Sequence, residues 1–234
     1  MREALRSGAR PVRRLVVVHT DRQFSELVEL ARKAGVPVRI EPRQALDRLV
    51  PSGRHQGIVA LVGAKAYAEP DDMLRTARER GEPALVLLLD GVEDPHNLGA
   101  VLRTAEAAGA HGVVIPERRS VGLTGTVAKA SAGAVEHLPV ACVLNLSRAI
   151  EQLQEQGLWV YALDPSAQKS YTTLDLKGPV ALVLGGEGKG VRAGVLDKCD
   201  DRVHIPMSGR VASLNVSAAA AIILFEVVRQ RTGG

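Results

Sequence analysis

Along this chain, runs of consecutive apolar residues alternate with stretches in which apolar residues recur every three or four positions. Six apolar runs fall after residue 83, at 84–89, 112–115, 140–143, 159–163, 180–184 and 203–205. Strands apolar along their whole length need cover on both faces, so they predict a mostly parallel sheet. The periodic stretches between them predict the covering helices, at 97–109, 121–132, 147–156, 189–198 and 213–230. The front of the chain repeats the alternation on a smaller scale. Strands are predicted at 14–19, 36–40 and 57–62 and helices at 21–34 and 42–49, a compact βαβαβ unit. In the first of those helices Asp21 is the expected N-cap, Phe24, Leu27, Val28 and Leu30 form the apolar face, and Gly35 closes it. Residues 63–70 (GAKAYAEP) read as a linker, and 71–79 as a helix leading into the second unit. The pattern is that of an α/β chain with domains at 1–66 and 67–234.

Composition narrows the classes. At 234 residues, 46% hydrophobic and 24% charged, the chain can bury a sizeable core. Aromatic residues make up 3%, which argues against base-stacking platforms as a main mode of RNA contact. The net charge of +4 is unevenly spread: residues 1–66 hold 13 Lys and Arg against 6 Asp and Glu, residues 67–234 hold 17 against 20. A front segment at +7 beside a remainder at −3 points that segment toward a polyanion, although a solvated arginine-rich face would carry the same charges. Cys142 and Cys199 are far apart and give neither a zinc ligand set nor a disulfide framework. His19, His55, His96, His111, His137 and His204 show no ligand spacing, so no metal is expected. Residues 1–14 lack the apolar core of a signal peptide. The longest apolar run, 216–228, is interrupted by Ser217 and Glu226 and is too short for a bilayer. A cytoplasmic protein without a membrane partner is expected.

Three stretches could carry chemistry. In the first, DGVEDPHNLGAVLRTA at 90–105, a strand exits through a turn holding Pro95, and Asn97 stands where an N-cap belongs. Arg103 follows about one and a half turns later, and helical side chains lean toward the N-terminus, so its guanidinium could reach back to the strand exit. The second, LGGEGKG at 184–190, is neither a Walker A loop nor G-x-G-x-x-G. Its glycines permit close backbone approach, and Glu187 disfavours a phosphate cradle while tolerating a cationic or hydroxyl-bearing ligand. In the third, IPMSGRVASLNVSAAAA at 205–221, Ser213 and Asn215 flank Leu214 at a helix start. Capping explains one of these two polar residues but not both, and the run of alanines admits a closely packed neighbour or a dimer contact.

Together and in this order, the three stretches resemble the signature motifs of the SpoU (TrmH) class of RNA 2′-O-ribose methyltransferases. The matching segments are N-L-G-A-x-x-R-T-A at 97–105, L-V-L-G-G-E-G-x-G at 182–190 and I-P-M-x-G-x-V-x-S-L-N-V-S at 205–217. The stretch RRSVGLTGTVAKASAGAVEHLPV, 118–140, is similar to the bacterial subgroup that methylates a guanosine ribose of large-subunit (23S) ribosomal RNA. The resemblance runs from about Arg13 onward. It implies a small, ribosomal-protein-like RNA-binding domain in front, and a parallel-sheet catalytic domain with a C-terminal trefoil knot. General topology rules alone would argue against a knot. S-adenosyl-L-methionine is implied as cofactor, bound inside the knot by Gly185, Gly186, Ile205, Pro206 and Leu214, with ribosomal RNA as substrate. A homodimer through the knotted domain is implied as well. In one respect the chain departs from the family: it begins MREALRSGARPV where an additional strand usually stands, so the front domain is expected either to lack an edge strand or to carry a truncated one.

The same resemblance implies catalytic roles for Arg103, Asn97, Glu187, Ser213 and Asn215. Methyl transfer to a ribose hydroxyl is an in-line displacement that needs alignment and help with one proton. A guanidinium is a demanding general base, so an electrostatic role for Arg103 at the target ribose and phosphate is expected. The other four residues would hold Arg103, the ribose and the loops. Within the class, transfer RNA is the alternative substrate. From other classes, a non-catalytic RNA-binding protein would keep the basic front segment without needing Arg103, Glu187 and Asn215. A dinucleotide-dependent oxidoreductase lacks its fingerprint after the first strand of the larger domain.

Overall fold

The computed structural model describes residues 1–20, 22–50 and 55–233. The chain divides into two compact units, Met1–Ala66 and Tyr67–Gly234. The first contains α1 (Arg2–Ser7), β1 (Val12–Val17), α2 (Ser25–Lys33), β2 (Val38–Ile40), α3 (Arg43–Leu49) and β3 (Ile58–Val62). Its sheet runs β2-β1-β3, with β1 parallel to β2 and antiparallel to β3. Leu15, Val16 and Val17 of the central strand are fully buried, and Leu5, Phe24, Val28 and Ala31 close over one face. The segment MREALRSG, where the family's additional strand is expected to be absent or truncated, forms a helix. Ala4 and Leu5 of α1 are buried, and Gly8 ends it at a φ of 63°. The expected cap at Asp21 lies outside the described residues, and α2 begins four positions later, at Ser25.

The second unit opens with α4 (Pro70–Arg80), entered through a capping box between Glu69 and Asp72 and closed by Gly81. There follow β4 (Leu85–Asp90), α5 (Pro95–Ala107), β5 (Gly112–Pro116), α6 (Gly125–Ala130), β6 (Val140–Val143), α7 (Leu146–Glu155), β7 (Trp159–Leu163) and the short β8 (Lys169–Ser170). The unit ends with β9 (Val180–Gly185), α8 (Ala193–Leu196), β10 (Asp201–His204) and α9 (Val216–Arg231). The seven strands are ordered β6-β5-β4-β9-β7-β10-β8, and neighbours are parallel throughout. Alternation along each strand decides which helix it meets. Leu85, Leu87 and Leu89 of β4 pack with Leu98 and Leu102 of α5 and Ile223 and Leu224 of α9. Val86 and Leu88 turn the other way, toward Met73 of α4, Ile150 of α7 and Val195 of α8. Both faces are thereby covered, the condition that uninterrupted apolar strands require.

Two strands arrive late in sequence and enter between earlier ones. β9 lies between β4 and β7, and β10 between β7 and β8. The carboxyl ends of β4, β9, β7 and β10 therefore share one edge, with a change of winding direction between β4 and β9. Such a switch point leaves a crevice in an open parallel sheet.

Candidate active site

Close backbone crossings build the site. β9 ends at Gly185, and the Gly186 N–H donates to the Asp90 carbonyl at 2.7 Å. A Cβ on Gly186 would overlap the Gly91 carbonyl, and one on Gly185 would overlap the backbone of Gly190 and Val191. No side chain fits at either position, which is the physical reason for the paired glycines. Asp90, 2% exposed at the end of an otherwise apolar strand, anchors the far end of the same loop. Its carboxylate accepts the Arg192 backbone N–H at 2.9 Å and Nε at 2.8 Å, and the guanidinium completes an ion pair at 2.7 Å. These hydrogen bonds hold the Arg192 guanidinium above its ordinary pKa. Sequence reasoning missed this pair. A single carboxylate closing a buried apolar strand is the signal that could have found it, because buried charge demands a partner.

Across the anchored loop, three distant motifs meet. Glu187 Oε1 accepts the side-chain amides of Asn97 and, at 2.9 Å, of Asn215. The Asn215 amide also donates to Asn97 Oδ1 at 3.1 Å. One carboxylate on the β9–α8 loop thus ties the start of α5 to the start of α9. Asn215 can do this while capping α9, because its Oδ1 accepts from the Ser217 N–H at 2.9 Å and hydroxyl at 2.6 Å.

Asn97 is not the cap expected from the sequence. Asp94 caps α5 by accepting from the His96 N–H at 2.8 Å, and Pro95 occupies the first helical position. This places Asn97 inside the first turn with its amide free to reach Glu187. The helix expected at 189–198 contracts to α8, because Gly190 at a φ of 61° and the Asp90–Arg192 anchor hold the preceding residues in a loop. The helix expected from Ser213 starts at Val216, so Ser213 and Leu214 belong to an exposed loop.

Beside this network lies a cleft of about 510 Å³. Its walls include Leu184, Gly185, Gly186, Ile205, Ser213, Leu214 and Asn215. Of the expected cofactor contacts, Gly185, Gly186, Ile205 and Leu214 line it; Pro206 does not. Glu187 also lines it, whereas Asn97 and Arg103 do not. Arg103 sits on the exposed side of α5 and has no hydrogen-bond or ion-pair partner among the described residues. It follows Asn97 by about 1.7 helical turns, so the two side chains leave different faces. His204, which the sequence singled out for nothing, lines the same cleft with a buried Nδ1 that lacks a hydrogen-bond partner. Among the described residues no group of three or more His, Cys, Asp or Glu could hold a metal, and no helix is long and apolar enough to cross a membrane.

Comparison with known proteins converges on these elements. Residues 84–225 match the SpoU rRNA Methylase family, and residues 1–68 match the family described as RNA 2′-O ribose methyltransferase substrate binding. The chain is 51% identical over 209 residues to YacO of Bacillus subtilis, provisionally named a TrmH family tRNA/rRNA methyltransferase; the match covers 89% of this chain and 84% of that one. It is 48% identical over 220 residues to the 23S rRNA (guanosine-2′-O-)-methyltransferase RlmB of Xylella fastidiosa, covering 93% and 88%. Among solved structures, the SpoU methyltransferase AviRb of Streptomyces viridochromogenes in complex with AdoMet superposes with a TM-score of 0.82 at 26% identity, covering 99% of this chain and 87% of that one.

Proposed function

Because the chain belongs to the SpoU rRNA methylase family, we propose that it transfers a methyl group from S-adenosyl-L-methionine to the ribose 2′-hydroxyl of a guanosine in 23S ribosomal RNA. The coarser activity, that of a TrmH-family RNA 2′-O-methyltransferase, comes with the family. The choice of 23S guanosine rests on the RlmB relative at 48% identity. The observation that carries the proposal is the meeting of Asn97, Glu187 and Asn215 beside a glycine-walled cleft.

The residues present fit the cofactor. A cleft of about 510 Å³ is within the range of small-molecule sites. Glycines at 185 and 186 expose backbone groups, Ile205 and Leu214 offer apolar cover, and the orphaned His204 Nδ1 is a polar atom in want of a ligand. When bound, the cofactor supplies an electrophilic sulfonium methyl. Gly185, Gly186, Ile205 and Leu214 would hold it, with Pro206 restricting the backbone that follows Ile205. Glu187 fixes the relative positions of α5 and α9, and Ser213 offers a hydroxyl at the rim. Arg103, exposed and unpaired among the described residues, is available to the ribose and its phosphate as a fixed positive charge. The crossings at Gly185 and Gly186 support the C-terminal trefoil knot of this reading. Exposed Met207, Val211 and Leu214 support a homodimer through the knotted domain. The front unit, with its +7 charge, would select the RNA.

The test is methyl incorporation from tritiated cofactor into protein-free 23S ribosomal RNA and, separately, transfer RNA, followed by mapping of the modified nucleotide. Label on a 23S guanosine 2′-oxygen is expected. Label confined to transfer RNA would overturn the substrate assignment while keeping the chemistry.

A further inference from the structure

The loop after β5 carries two adjacent arginines, Arg118 and Arg119, that the site described above does not use. Both are exposed, and neither has a hydrogen-bond or ion-pair partner among the described residues. The loop itself is tied down on both sides of them. The Glu117 N–H donates to the Val143 carbonyl at 2.9 Å, and the Val121 N–H to the Val92 carbonyl at 3.1 Å. Further on, the Leu123 N–H donates to the Tyr67 hydroxyl at 3.2 Å, and Thr124 caps α6 by accepting from the Val127 N–H.

The Val92 tie places the loop beside the site. Val92 follows Gly91, whose carbonyl is the atom that Gly186 crosses, and the same turn leads to Asn97. Arg119 moreover holds a φ of 61°, in the left-handed region that side-chain-bearing residues avoid at a cost of about 1 kcal/mol or more. A glycine would meet that backbone demand without strain. Arg119 is thus held in a strained conformation while its guanidinium, without a partner among the described residues, is open to an external anion.

We propose that Arg118 and Arg119 form a phosphate clamp that grips the RNA strand next to the target nucleotide. The proposal rests on the reading of the chain as an RNA methyltransferase. A pinned backbone presents both guanidinium groups without ordering a loop on binding, and each fork matches a phosphate in two hydrogen bonds. The grip is on the backbone of the RNA, so it orients the strand and leaves base identity to other residues.

Every arginine–phosphate pair that a substitution abolishes takes about 0.7 to 0.9 off the slope of log K against log salt. Binding of protein-free 23S ribosomal RNA across a potassium chloride series should therefore give a slope shallower by roughly 1.5 in the Arg118→Gln, Arg119→Gly double variant. Affinity at low salt should fall about tenfold, with KM for RNA rising more than kcat falls. Arg119→Gly alone relieves the backbone strain, so its Tm should equal or exceed that of the unaltered protein, which separates weakened binding from impaired folding. Affinity for S-adenosylmethionine, measured by calorimetry, should hold. A double variant with the salt slope of the unaltered protein overturns the clamp. If the unaltered protein binds the RNA yet transfers no methyl group to any RNA, the methyltransferase reading falls while the slopes still decide the clamp.

Discussion

Glu187 Oε1 receives two amides, from Asn97 and Asn215, which lie 118 residues apart. Hydrogen bonds to a charged group contribute about 1.5 to 3 kcal/mol each, so Glu187→Ala, which removes both, should lower kcat/KM by about 100-fold or more, measured by tritium transfer. Glu187→Gln keeps an acceptor oxygen but not the charge and should fall between the two. Arg103 makes a different prediction, because no described residue holds it. Arg103→Ala should leave Tm and S-adenosylmethionine affinity unchanged while kcat falls by roughly a hundredfold. Arg103→Lys should not restore the rate, since an ammonium lacks the planar fork. A normal kcat in Arg103→Ala would remove this residue from the reaction. Both residues were legible in the sequence as members of motifs. Their surroundings were not, because an amide that reaches across 90 residues leaves no local pattern.

At the scale of elements, the last helix is held at both ends. Asn215 fixes its start, and Arg231 near its end gathers backbone carbonyls from the strand entrances. Arg231 donates to Leu176 O at 3.1 Å, Pro83 O at 2.7 Å, Ala84 O at 3.2 Å and Gly178 O at 2.6 Å. Burial draws its pKa below the usual arginine value, and the four carbonyls are its compensation. Arg231→Ala removes those donors at once. A loss of about 2 kcal/mol, or about 4–8 °C in Tm, is expected in a thermal melt, and a change below 1 °C would show the clasp to be ornamental. The strands were the most readable elements, since an apolar run with buried faces is a strong and local signal. Helix starts were less so. Asp94 and Asn97 are both capping residues three positions apart, and Pro95 decides between them by requiring the first helical position. Helix α8 is shorter than its pattern because the Asp90 carboxylate, 102 residues away, holds Arg192. Short α1 was missed because its two buried residues are too few to establish a period.

For the whole molecule, the acid limit of stability has an identifiable contributor in the larger unit. His111 accepts the Leu85 N–H at Nδ1 (3.1 Å), so its remaining proton sits on Nε2 and faces Glu82 at 3.1 Å. Burial lowers its pKa below 6.5, outweighing the pull of Glu82. As pH falls through about 6.5, the unfolded chain takes up a proton that the folded imidazole refuses, so stability is lost toward acid and present above neutrality. Urea unfolding at about pH 7.5 and about pH 5.5 should show that drop, and His111→Asn, which keeps an acceptor for Leu85, should flatten it. An equal drop in the variant would assign it to other groups. The ten consecutive exposed residues from Pro206 to Asn215 have a further consequence. They make hardly any of the sheet's hydrogen bonds, yet they carry Asn215 to its partners. One protease cut within them would sever the chain between β10 and α9 while leaving the sheet, the buried leucines and the Arg231 clasp in place. The nicked protein would remain compact and lose its chemistry, so architecture and turnover can be parted by breaking a single peptide bond.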